Sequence, residues 1–249
     1  MLKGKIAWIT GAGTGIGLAG AQALAKEGAV VIMSGRRADV LKRESAKIKE
    51  NGGRAETEPL DVGDANAVQL VAGAIMKRHG RIDILVNSAG VNTTPRLWND
   101  QTPEGFAEVI RVNLEGTFYC TKAVLPSMRA QKDGLIVNVV SWSGIYTSML
   151  AGTAYSASKR AVVSLTENLN MQECINGIRA CALCPGEVAT EILDRRPVPV
   201  SPEERARMLQ KDDLGETIRW VAAQPPHVCV NQMIISPTWN RGYIRALKS

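Results

Sequence analysis

Short apolar runs and segments with helical periodicity alternate along the whole chain. Ile6 to Ile9 reads as a buried strand, and Ile16 to Glu27 as a helix whose Ala, Leu and Gln residues share one face. Ala29 to Met33 is a second strand, and Ala38 to Asn51 a charged helix stopped by Gly52-Gly53. A weaker strand covers Ala55 to Leu60, before a helix from about Asp64 to His79. Ile82 to Val86, Leu135 to Val140 and Ile178 to Leu183 are further strands, with long helices between them. Strands that are apolar almost throughout are buried on both faces. Their alternation with helices predicts a single doubly wound α/β domain over residues 1–249, a parallel sheet with helices on both faces. Residues 187–213, rich in Pro, Arg and Glu, break the rhythm. Within them Ser201-Pro202-Glu203-Glu204 reads as a helix start, with Ser as N-cap and Pro in the first turn. A helical substrate flap is the functional reading of this segment; a plain surface excursion is the alternative.

Composition narrows the function classes. The 249 residues are 45% hydrophobic and 22% charged, as in ordinary globular domains. The apolar runs are far too short for a membrane span: Ile136 to Val140 is already interrupted by Asn138. The start, Met1-Leu2-Lys3-Gly4-Lys5, lacks the pattern of a signal peptide, so a cytoplasmic protein is expected. Lys and Arg number 30 against 24 Asp and Glu, a net +6, but they are scattered rather than gathered in a stripe. Nucleic-acid binding is therefore not expected. Five cysteines form an odd set without framework spacing, which suits reduced thiols. Cys181 and Cys184 spell C-x-x-C inside a strand, where residues three apart face opposite sides; with no second pair, a metal or redox role is not expected. His79 and His227 stand in no metal spacing and have no nucleophile partner, so no metal is expected.

The chemistry begins at Thr10-Gly11-Ala12-Gly13-Thr14-Gly15-Ile16-Gly17, which follows the first strand and opens the first helix. Glycines there let the backbone turn tightly and bring a helix N-terminus, with its free N–H groups and dipole, against a pyrophosphate. The spacing of Gly11, Gly15 and Gly17 differs from the usual Rossmann fingerprint. Four more segments follow in order: Asn87-Ser88-Ala89-Gly90 after the fourth strand, Asn113 within Arg111 to Thr117, Tyr155-Ser156-Ala157-Ser158-Lys159, and Pro185-Gly186-Glu187-Val188-Ala189-Thr190 after the sixth strand. Together they resemble the short-chain dehydrogenase/reductase family over nearly the whole chain.

Tyr155 and Lys159 are four apart on a predicted helix and so share a face. An ammonium near a phenol favours the phenolate, and the expectation is that Lys159 lowers the Tyr155 pKa from about 10 toward neutrality. Tyr155 is then the general acid/base. The resemblance implies that Lys159 also holds the nicotinamide ribose, and that Asn113 perturbs its helix and holds a water linking Lys159 to solvent. It further implies that a hydroxyl upstream of Tyr155 binds the substrate oxygen. Ser141 and Ser143 both stand near the expected position; aligning on Ser-x-x-Gly selects Ser141, with Ser143 the alternative. Cofactor contacts are implied for Gly11, Gly13, Thr14, Gly15, Ile16, Gly17, Asn87, Ala89, Gly90, Pro185, Gly186 and Val188. The same resemblance gives adenine contacts to Asp61 and Val62 and the carboxamide to Thr190, although Asp61 could equally open a helix.

At the end of the second strand an acidic residue would accept from a free ribose 2′-hydroxyl. Gly35 stands there instead, followed by Arg36 and Arg37, which suits the 2′-phosphate of NADP(H) rather than NAD(H). The stretch from Val228 to Thr238 departs from much of the family and looks like a branch that includes hydroxy-acid dehydrogenases. Family members commonly form tetramers, and Trp239 and Tyr243 are candidates for subunit contacts in a homotetramer or homodimer. The expected function is NADP(H)-linked interconversion of a secondary alcohol and a ketone. The alternatives are an NAD-dependent hydroxy-acid or alcohol dehydrogenase and a non-catalytic nucleotide sensor on the same scaffold.

Overall fold

The computed structural model describes residues 2–196 and 198–247. Seven parallel strands form one sheet: β1 (Ile6–Thr10), β2 (Val30–Gly35), β3 (Arg54–Pro59), β4 (Ile84–Asn87), β5 (Gly134–Val139), β6 (Ile178–Pro185) and β7 (Gln232–Ile235). Their spatial order is β3-β2-β1-β4-β5-β6-β7. Alternate residues face opposite layers, so the central strands are apolar throughout. Ala7, Ile9, Val31 and Met33 enter one core with Leu18, Leu24, Leu214 and Ile218; Ile6, Trp8, Val30 and Ile32 enter the other with Ile75, Val124 and Met128. Cys181 and Cys184 fall into different clusters, as the strand reading requires. Burial pushes their thiols up to about 12 and about 11, which leaves them inert.

The helices on the two faces are α1 (Gly15–Lys26), α2 (Ala38–Glu50), α3 (Ala65–His79), α4 (Pro103–Ile110), α5 (Gly116–Gln131), α6 (Thr153–Glu173), α7 (Pro202–Ala206), α8 (Lys211–Ala222) and α9 (Arg241–Ala246). Asp64 caps α3 by accepting from the N–H groups of Asn66 and Ala67. The helix-start reading of Asp61 is thereby replaced by Asp64. Strand β7 was not anticipated, because its four residues sit at the sheet edge, half-buried or exposed, without an apolar run. Ser201 caps α7 as expected, its Oγ accepting from Glu204 N at 3.2 Å. Residues 187–213 also contain a 3-10 turn, Glu191–Arg195, and a small core of Leu193, Val200 and Met208. Pro197 of this segment lies outside the described residues.

Strand order reverses at β1, which lies between β2 and β4. Adjacent connections leave on opposite faces at such a point, opening a crevice beyond the carboxyl ends of the strands.

Candidate active site

Beyond β1 the backbone of Gly11 has φ +63° and that of Gly15 has φ +55°, a region that favours glycine. A Cβ on Gly11 would stand 2.8 Å from the Ala89 backbone, so the turn lies flush against the end of β4. Thr10 Oγ1 fastens the two by accepting from the N–H groups of Ser88 and Ala89 at 3.1 and 3.2 Å. Helix α1 opens at Thr14 with no side chain capping its amides. Free amides behind a glycine turn fit a dinucleotide pyrophosphate.

The crevice is a cleft of about 840 Å³. Its wall carries Gly11, Gly13, Thr14, Gly15, Ile16, Arg36, Arg37, Asp61, Val62, Ala89 and Gly90 toward one end. Ser141, Ser143, Tyr155, Lys159, Pro185, Gly186, Val188 and Thr190 complete the expected set. Three expected residues stand behind the wall. Gly17 packs inside α1, where a Cβ would meet the Gly11 carbonyl at 2.4 Å. Asn87 Nδ2 donates to Thr121 Oγ1 and Asn138 Oδ1, and its Oδ1 is buried without a partner among the described residues. Asn113 is fully buried.

Asn113 lies in a π-helical turn, Arg111–Glu115, between α4 and α5. Its Oδ1 accepts from Val91 N at 2.8 Å, and its Nδ2 donates to Val91 O at 3.0 Å and Ser158 Oγ at 3.2 Å. Ser158 Oγ donates in turn to the Tyr155 carbonyl at 2.8 Å. Both amide hydrogens are thus committed to fixing the loop after β4 against α6. Asp61 is similarly engaged: Oδ2 accepts from Arg111 Nη1 and Nη2 at 3.2 Å, and Oδ1 from Gly63 N at 3.0 Å.

Tyr155 and Lys159 sit one turn apart on α6, as expected from their spacing. The electrostatics differ from the expectation. Lys159 Nζ donates to the Val139 carbonyl at 2.8 Å and lies 5.6 Å from the Tyr155 ring centroid. Burial pushes the Tyr155 phenol up, and what opposes that rise is the Ser141 hydroxyl followed by the Arg196 charge, not Lys159. Lys159 is itself pushed down to about 8 by burial. Ser141 Oγ accepts from Ser143 N at 3.1 Å, and the same hydroxyl bonds the Tyr155 phenol. Of the two serines, Ser141 is the one whose hydroxyl reaches Tyr155.

A family model described as short chain dehydrogenase matches residues 5–198. The chain belongs to the short-chain dehydrogenase family. An uncharacterised oxidoreductase of Staphylococcus aureus (strain MRSA252) is 33% identical over 237 residues, covering 95% of this chain and 99% of its own. An alcohol dehydrogenase from the archaeon Thermococcus sibiricus, crystallised with 5-hydroxy-NADP, superimposes with a TM-score of 0.86 at 27% identity, covering 95% of this chain and 98% of its own. A metagenomic short-chain oxidoreductase in complex with NADP gives 0.83 at 28% identity, with the same coverage. The protein is an NAD(P)-dependent oxidoreductase of this family.

This short-chain dehydrogenase also lines its cleft with residues that sequence reasoning missed: Ser88, Arg96, Trp142, Arg196 and Arg241 among them. Trp142 adjoins Ser141; Arg96 and Arg196 stand on separate loops and Arg241 opens α9, with no periodicity to mark them.

Proposed function

We propose that this dehydrogenase interconverts a secondary alcohol and a ketone, with Tyr155 as general acid/base and NADP(H) as the preferred cofactor. The reading is carried by the Ser141 and Tyr155 hydroxyls, which meet in the same cleft as the glycine turn. The cofactor, when bound, supplies or receives the hydride. In the reductive direction Ser141 Oγ donates to the carbonyl oxygen and Tyr155 Oη passes its proton to that oxygen; oxidation reverses both. Lys159, cationic below about pH 8, is assigned to the ribose hydroxyls, and Asn113 to holding the Val91 loop against α6. Thr190 is assigned to the carboxamide, and Asp61 and Val62 to the adenine.

The NADP(H) preference rests on Gly35 in place of an acid, on Arg36 and Arg37 at the cleft, and on the NADP ligands of similar proteins. The Arg36 side chain is 55% exposed and 4.0 Å from Glu108, so a phosphate would compete with only a weak pairing. We assign residues 187–213 to a substrate flap, and a homotetramer or homodimer to the assembly. The aromatic residues considered for subunit contacts are already engaged: Tyr243 packs edge-on against Trp142, and Trp239 carries the Arg207 guanidinium. None of the described helices is long and apolar enough to cross a membrane. Five unpaired thiols suit the cytoplasmic reading.

Tyr155→Phe tests the mechanism. Turnover is expected to fall about 10²–10⁴-fold while cofactor affinity, followed by nicotinamide fluorescence, stays within threefold or about that. Near-unaltered turnover would remove Tyr155 from the acid/base role.

A further inference from the structure

The cleft wall beside Tyr155 is built from guanidinium groups. Arg96 lies in the loop after β4, only 5% exposed, with its Nε donating to the Thr94 carbonyl at 3.3 Å and its Nη1 to the Leu150 carbonyl at 3.2 Å. Arg196 approaches from the segment after β6, its side chain 13% exposed. Its Nη1 donates to Glu187 Oε1 at 2.7 Å, and its other nitrogens have no partner among the described residues.

Glu187 cannot cancel this charge alone, because Arg241 also donates to both of its oxygens, at 2.6 and 2.7 Å. Arg241 meets Glu204 as well, at 2.9 Å, so Arg196, Glu187, Arg241 and Glu204 together are neutral. Arg96 adds a positive charge beside that group. Asp100 lies nearby, its Oδ1 accepting from the amides of Arg96 and Leu97, and its charge offsets part of that of Arg96. The two cleft arginines feel one another: Arg96 is held below its usual range by burial first and by the Arg196 charge second, with Asp100 opposing. Bringing two cations to one half-buried wall is unfavourable unless an anion joins them.

We propose that Arg96 and Arg196 hold the carboxylate of the substrate, so that the alcohol oxidised at Tyr155 is that of a small hydroxy acid and the product an oxo acid. The inference rests on the alcohol–ketone reading given above. In that step the C–H bond breaks and its electron pair leaves as hydride to the oxidised nicotinamide. The O–H proton passes to the ionised Tyr155 phenolate, which becomes the phenol, a C=O bond forms, and the carboxylate keeps its charge throughout. Arg196 supplies the unpaired N–H groups, and Arg96 a fixed charge. A charge-assisted hydrogen bond is worth roughly 10- to 150-fold in affinity.

The test pairs secondary 2-, 3- and 4-hydroxy acids of four or five carbons with their methyl esters. Each is offered to the cofactor-loaded protein, and kcat/KM is read from nicotinamide absorbance. At least one acid is expected to exceed its ester by about tenfold or more, and Arg196→Gln to lower that acid-to-ester ratio by about tenfold, mainly through KM. Arg96→Lys, which keeps the charge, should preserve more of the ratio than Arg96→Met. Calorimetric titration of the cofactor-loaded Tyr155→Phe protein with acetoacetate and its methyl ester separates the two readings. Acetoacetate binding that is lost with Arg196→Gln, without turnover of any acid or ester by the unmodified protein, would uphold the carboxylate site and overturn the alcohol–ketone reading. Esters turned over as efficiently as their acids, an unchanged ratio in Arg196→Gln, or no preference for acetoacetate over its ester would overturn the carboxylate site.

Discussion

The two ends of the sheet both carry charged clusters, and they are built in opposite ways. At the amino ends of the strands Asp83, its side chain 2% exposed, accepts from Ile6 N at 2.8 Å, from Lys5 Nζ at 3.0 Å and from Arg81. Lys5 also reaches Asp133 at 3.1 Å, so the cations there end on carboxylates. At the carboxyl ends Arg196 keeps unpaired donors facing a cleft, and Lys159 is buried against a carbonyl and an aromatic ring. The first cluster is closed and ties β1 to β4. The second leaves charge and donors unmatched, at a cost in stability, where a ligand would complete them. The contrast separates residues that hold the fold from residues we assign to ligand binding.

Substitutions at the two ends should therefore have opposite effects. Ser141→Ala at the open end should lower turnover by about 10²–10³-fold, the usual effect of losing one donor to a reacting oxygen, with little change in Tm. Ser143→Ala should cost much less, since its contribution to Ser141 is a backbone N–H. Equal losses, measured as kcat/KM, would mean that both hydroxyls touch substrate. Asp83→Asn at the closed end should do the reverse, destabilising by about 2–4 kcal/mol and lowering Tm by roughly 5–15 °C while KM is retained.

Burial alone would raise the Asp83 carboxyl, but the bonds from Arg81, Ile6 and Lys5 outweigh it and hold it below the usual carboxylate range. Its stabilisation is therefore full above about pH 4 and fades as pH falls through the lowered folded value. The Asp83→Asn protein should accordingly lose less stability than the unmodified one on acidification, checked by thermal melts across that range. The smallest effect is expected at Arg36→Ala, on the adenosine side of the cleft. An exposed arginine facing a 2′-phosphate should weaken NADP(H) by about tenfold and leave NAD(H) nearly unchanged, measured by fluorescence titration. Equal weakening of both cofactors would detach Arg36 from the phosphate.

Sequence legibility followed the same division. Strands β1, β2, β4, β5 and β6 were readable because burial on both faces demands unbroken apolar runs such as Ile6 to Ile9. Strand β7 was not, since an edge strand reading Gln-Met-Ile-Ile, half in solvent, carries no such demand. The glycine turn was readable because close backbone approach excludes side chains at Gly11 and Gly17. The helical spacing of Tyr155 and Lys159 was readable too, but the source of charge acting on the phenol was not. Arg196 lies 41 positions after Tyr155 and reaches it only through the path of the segment beyond β6. Spacing along one helix says what shares a face, whereas the field at a buried hydroxyl is summed over every loop that closes on it.

We assign the Ser141–Tyr155 pair to hydride transfer to and from a nicotinamide cofactor bound on the glycine turn. The most direct test of that assignment is nicotinamide absorbance after mixing the unmodified protein with NADP⁺ or NAD⁺ and secondary alcohols, and with the reduced cofactors and the matching ketones and oxo acids. Equimolar cofactor reduction and carbonyl formation are expected, faster with NADP⁺, and abolished in Tyr155→Phe. Cofactor binding at the glycine turn without turnover of any alcohol or carbonyl compound would contradict the assignment, leaving a nucleotide-binding scaffold whose Tyr155 transfers no proton.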